Sequence, residues 1–177
     1  ALAMEYRFVH HWNYELGEQE HATLEAAISL TTKDRDDNFL HEVGAFISEH
    51  TKAMYVLVGL LSKDNCHITT CLFLKEKKAL KNFTYSLQHT PCDAVITQKF
   101  CYYPFSVAEH FPEDIELQQL KIESYLGSIF LSPEGEPIGL IALMDEKPLE
   151  NPAFAEHLVL VLSPAIEEEL HKIRTCP

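Results

Sequence analysis

Thiols, imidazoles and a run of aromatic rings are the groups in this sequence whose types and spacing could carry chemistry. Cys92 follows Thr90-Pro91, a cap residue and a first-position proline that predict the start of a short helix through Ala94-Val95-Ile96. A thiol at a helix N-terminus has its thiolate favoured by the helix dipole, which would make Cys92 a candidate redox group with Cys101 as its partner. The competing reading is that both cysteines are small apolar core residues. His10-His11, His21, His41, His50, His110 and His157 lie on predicted helices or polar stretches without a His-x-x-x-His spacing backed by a carboxylate, so they read as solvated rather than metal-binding. His110 stands apart because it lies at the edge of an irregular, aromatic-rich segment and could titrate near neutral pH. None of the six glycines falls in phosphate-loop or dinucleotide-binding spacing, and no G-x-S-x-G elbow occurs. Glu113-Asp114 and Glu167-Glu168-Glu169 read as a helix cap and a solvated helix face.

The irregular segment, 90–122, holds Phe100, Tyr102, Tyr103, Phe105 and Phe111. Phe100-Cys101-Tyr102-Tyr103 reads as a brief strand stopped by Pro104. Ser106 can cap Val107–His110, and Asp114 can cap Ile115–Leu120. Irregular segments lying over a rigid sheet commonly hold ligands. The candidate pocket residues are Tyr85, Phe100, Tyr102, Tyr103, Phe105, His110 and Phe111. The alternative is that these rings fill the space as core.

The elements that must position this segment come from the rest of the chain. Residues 5–12 show no clear period. From Asn13, Leu16, Leu24, Ala27 and Ile28 predict a helix with a thin apolar stripe, of the width that suits a partner helix from a second subunit. Asp36 or Asp37 can cap a second helix carrying Phe39, Leu40, Val43, Phe46 and Ile47. Met54–Leu61 and Cys66–Leu74 read as a hairpin around Lys63-Asp64-Asn65, Lys75–Lys78 as a charged turn, and Phe83, Tyr85 and Leu87 as an edge strand. Tyr125–Leu131 and Ile138–Met144 are apolar on both alternating faces, which places them in the middle of a sheet, joined by the turn Ser132-Pro133-Glu134-Gly135-Glu136. Met54–Leu61 is apolar on both faces too and is expected beside the last strand. Gly127 and Gly139 mark places where another backbone packs close. A long amphipathic helix, Phe154 to Ile173, contains Pro164 and should bend there. The fold expected is α+β: one antiparallel sheet of five or six strands with helices on its faces.

Glu123-Ser-Tyr-Leu-Gly127, the apolar strand and turn after it, and Ile138-Gly-Leu-Ile-Ala-Leu-Met-Asp145 resemble the C-terminal half of a GAF domain. Thr90–Val95 resembles the helix opening of many bacterial GAF domains, and Ser163–Leu170 their closing helix. The resemblance implies a GAF-like domain over 36–174, preceded by an extension and signalling helix over 1–30. It implies a non-catalytic sensory role in a bacterial signalling protein, with a ligand cavity formed by 90–122 and the sheet beneath, and an output domain outside this chain. It does not name a ligand or cofactor. The Asn-Lys-x-Phe-Asp-Glu signature of cyclic-nucleotide binders is absent, Lys99-Phe100 being only a fragment of it. Cys66-His67 has the dipeptide of bilin binders, but on an early hairpin. Some GAF-fold enzymes reduce free methionine sulfoxide with cysteines, so Cys92 and Cys101 leave a reductase or redox sensor open as an alternative, although a His-Ile-Ala-Cys-Asp-like segment is missing from 105–125. A dimerisation module with a filled cavity is the other.

The 177 residues suit a single domain, and 46% hydrophobic content supplies a core. Fourteen basic against 27 acidic residues give a net charge of -13, which disfavours nucleic acid and anionic membrane surfaces. The apolar runs are too short to span a membrane, and no signal peptide is visible. Five cysteines without a CxxC pair argue against a disulfide framework or ordinary zinc site and favour the cytoplasm. A small-molecule ligand and a homodimer through helices 13–30 and 153–174 are the expected partners. The chain reads as a fragment of a longer protein, and Ala1-Leu2-Ala3 before Met4 could equally be a cloning remnant or native.

Overall fold

Bulky residues on both faces of β6 (Ser124–Leu131) and β7 (Pro137–Asp145) leave these strands buried along nearly their whole length. The computed structural model of the protein describes residues 14–175; His10, His11, Cys176 and the start of the first expected helix lie outside them. β7 sits between β6 and β1 (Tyr55–Leu61), with Tyr55 opposite Met144 and Leu60 opposite Gly139, as the two-faced apolarity of β1 predicts. Every pairing is antiparallel. The order is β3-β2-β1-β7-β6-β5, with β2 spanning His67–Lys75 and β5 Phe100–Tyr103. The sheet has seven strands rather than five or six. The additions are short: β3 (Lys78–Ala79) folds back from the charged turn, and both it and β4 (Thr84–Ser86) pair with β2.

One face of the sheet is covered by three long helices, α1 (Glu18–Thr32), α2 (Phe39–Thr51) and α6 (Pro152–Thr175). The thin stripe of α1 does not lack a partner within the chain: Thr23, Leu24 and Ala27 are buried, and the helix packs on α6 and α2. Glu20 accepts a hydrogen bond from Asn151 (2.8 Å) and Arg35 reaches Glu169 (3.2 Å), so α1 runs alongside α6 in the same direction. Neither Asp36 nor Asp37 caps α2; Asn38 holds the cap position, and the Asp36 carboxylate accepts the Asn38 N–H instead (2.9 Å). α6 runs through Pro164 without ending. Among the described residues, no helix is long and apolar enough to cross a membrane.

Short elements cover the other face: α3 (Pro91–Gln98), α4 (Val107–His110) and α5 (Ile115–Leu120). The two glycines act differently here. A Cβ on Gly139 would sit 2.2 Å from the Gly59 carbonyl oxygen, a true backbone approach. At Gly127 the neighbour is not backbone but side chain, Val95 Cγ2 at 2.5 Å, and that bare spot lets α3 lie directly on the sheet.

Candidate functional site

Because α3 sits so close to β6, its second residue enters the core. Cys92 Sγ lies 3.0 Å from the Tyr125 hydroxyl on β6 and 3.1 Å from the Tyr85 hydroxyl on β4. Thr90 occupies the cap position of α3, but its hydroxyl donates to the Leu87 carbonyl (2.7 Å) and not to the helix. Ser106, in a left-handed conformation, likewise does not cap α4; its N–H donates to the Glu123 carboxylate (2.8 Å) and so pins the loop after β5. Asp114 behaves as its position predicts: Oδ1 accepts the Leu117 N–H (3.1 Å) at the start of α5.

These groups surround a cavity of about 30 Å³, walled by Leu57, Phe73, Phe83 and Ala142 and roofed by Leu117 and Leu120 of α5. That volume admits one or two waters and no more. Outside it lies an open groove of about 300 Å³ between β4 and α5. Tyr85, Asp114 and Glu116 line both spaces and form the partition between them.

Burial decides the electrostatics. It pushes the Cys92 thiol up to about 11, outweighing the two tyrosine hydrogen bonds that favour the thiolate. For the Cys92 thiol, burial outweighs the helix dipole and favours the protonated form at neutral pH. Cys101, buried with its Sγ 3.9 Å from the Pro91 carbonyl, is held well above its ordinary value by desolvation as well. Desolvation also lifts the Asp114 carboxyl to about 6, with Glu116 adding to the rise and the Leu117 N–H opposing it. Cys92, Tyr85 and Tyr125 therefore form a neutral hydrogen-bonding patch in an apolar chamber, with two carboxyls, Asp114 and Glu116, in its wall.

The candidate residues divide between places. Strand alternation turns Phe100 and Tyr102 toward the long helices and Cys101 and Tyr103 toward the short ones. Tyr103 packs edge-on against Phe111 (5.6 Å between centroids) and Tyr125 (6.3 Å), beside the cavity rather than in its wall. Phe105 and His110 are exposed. Tyr85 is the one candidate pocket residue that lines the cavity, joined there by Cys92. Sequence reasoning passed over Tyr125, Asp114, Phe73 and Phe83. Tyr125 was hidden in a strand that reads as continuous core, and Asp114 in a helix cap. Among the described residues no group of three or more His, Cys, Asp or Glu side chains could hold a metal ion.

No protein-family model and no curated protein matches the sequence. Solved structures do match. The GAF domain of Acinetobacter phosphoenolpyruvate-protein phosphotransferase superposes with TM-score 0.66 at 13% identity, over 90% of this chain and 98% of that one. This is a GAF fold. The A. aeolicus nlh2 GAF domain, solved in an inactive state, matches with TM-score 0.62 at 12% identity, over 88% of this chain and 97% of that one. A GAF-fold enzyme matches comparably: free methionine-R-sulfoxide reductase from Neisseria meningitidis, solved with its substrate, at TM-score 0.67 and 14% identity, covering 93% and 98%. At such identities the likeness speaks for the GAF fold alone.

Proposed function

We propose that this GAF-fold chain is a regulatory sensor domain that binds a small molecule beneath α5 and relays occupancy through α1 and α6. The observation that carries this reading is the partition. A small inner cavity and a larger, more open groove share Tyr85, Asp114 and Glu116, and the roof element α5 buries a single residue, Leu117. Lifting that six-residue helix would merge the two spaces at modest cost, giving a pocket of ligand size. Cys92 and Cys101, both with raised thiol pKa, support a binding role over a redox one. Ile28 on α1 and Leu160 on α6 are 52% and 49% exposed, which supports these helices as the contacts of a homodimer facing an output domain in a bacterial cytoplasmic protein.

A second reading has its own observation: a cavity of only about 30 Å³ also suits a filled-core dimerisation module. Native mass spectrometry of the purified protein beside an absorption spectrum separates the two. The sensor reading expects a dimer that carries, or takes up, a small additional mass; a bare dimer that takes up nothing favours the filled core, and a monomer removes the relay.

A further inference from the structure

Asp114 is 8% exposed and, among the described residues, its carboxylate has no cationic partner; only backbone N–H groups, of Leu117 at Oδ1 and of Glu116, favour its charge. A buried carboxylate without a counterion is costly, and such groups mark places where something else supplies the charge. Its surroundings add no cation. On its own segment Glu116 faces it, and Glu113 lies in the outer groove, paired with His89 (3.4 Å). From β4, α3 and β6 come Tyr85, Cys92 and Tyr125, all un-ionised at neutral pH. No lysine or arginine lines either the cavity or the groove. Behind the carboxylates stand aromatic faces, Phe73 and Phe83 with centroids 5.4 Å apart and Phe83 and Tyr85 at the same spacing.

We propose that the merged cavity and groove beneath α5 take a small organic cation, an ammonium head on a short apolar or aromatic body. This rests on the reading of that place as a ligand pocket. The head would lie between Asp114 and Glu116, with tyrosine hydroxyl oxygens as further acceptors, and the body would lie against the Phe73–Phe83–Tyr85 rings. An anion would meet three carboxylates, and a neutral ligand would leave the Asp114 charge uncompensated. The net charge of -13 draws cations toward the groove. A cation also supplies what Asp114 lacks, so binding lowers its pKa and ligand affinity rises as pH climbs through about 6.

Three probes of one shape test this: benzylammonium, benzyl alcohol and benzoate, titrated into the ¹⁵N-labelled protein while the Leu117 amide resonance is followed. Benzylammonium should bind about tenfold or more tighter than benzyl alcohol, with benzoate inert. Its affinity should fall about tenfold from pH 7.5 to pH 5, as Asp114 takes up a proton. Asp114→Asn, which retains a helix-capping oxygen, and Glu116→Gln should each erase the charge preference while the spectrum stays folded. Equal or tighter binding of benzyl alcohol, or a preference that survives Asp114→Asn, overturns the cation while leaving the pocket standing. If none of the three binds, the cation and the pocket beneath α5 fall together.

Discussion

The two faces of the sheet are built to different rules. Toward α1, α2 and α6 the core is mainly apolar side chains, with Thr51, Glu156 and Ser163 buried among them, held by helices of 15, 13 and 24 residues. Toward α3, α4 and α5 the helices have eight, four and six residues, and the space beneath them is lined by two tyrosines, a thiol and two carboxyls. Long helices spread ordering entropy over many buried contacts, whereas α3 rests on three buried residues and α4 and α5 on one each. We propose that the first face is a scaffold and that part of the second moves without the rest.

Substitutions should expose this asymmetry. Leu158→Ala on α6, fully buried, should cost about 3–4 kcal/mol of global stability in urea denaturation. Gly139→Ala should cost about 2–3 kcal/mol, because the new methyl group has no room against the Gly59 carbonyl and the β1–β7 pair must shift. Leu117→Ala should cost about 2 kcal/mol or less and, unlike Leu158→Ala, should raise exchange at the α5 amides more than it lowers the urea midpoint. A global loss at Leu117 as large as at Leu158 would erase the distinction. Asp114→Asn should act through pH. Burial raises the folded-state pKa to about 6 from an ordinary 3.8, so the stabilisation is complete below about 4 and lost as pH rises through 6. The variant should therefore flatten the pH 4–7 stability curve and be up to about 2 kcal/mol more stable than its parent at pH 7.5. Smallest in stability, Ile28→Glu with Leu160→Glu should change ΔG by less than about 0.5 kcal/mol yet shift the mass in light scattering from dimer to monomer.

What could be read in the sequence follows the same divide. The central strands were legible because two-faced apolar runs such as Tyr125–Leu131 fit only the middle of a sheet, and the pairing of β1 with β7 came from the same signal. The long helices were legible by period. The small strands β3 and β4 were not fully so, because two or three residues of ladder carry no pattern of their own. In the site, the aromatic run 100–105 drew attention to rings that alternation then distributed to both faces, while Tyr125 carried no mark separating it from the core around it. Cys92 was recognisable by position, but its thiol state was not. The helix start is local, whereas the burial that overrides it comes from β4, β6 and α5 folding over it. Likewise α1 showed its stripe, but which surface that stripe meets is settled by where α6 lies.

Native-state amide hydrogen exchange is the most direct test of the difference between the faces. It would compare the Leu117 N–H, which donates to Asp114, with the amides of α6 around Leu158. The Leu117 amide, corrected for intrinsic rate, should exchange through a local opening several kcal/mol below global unfolding and insensitive to low urea, while the α6 amides should exchange only with the whole molecule. Exchange of Leu117 at the global unfolding free energy, with the same urea dependence as α6, would mean that α5 is part of one rigid core and that no pocket opens beneath it.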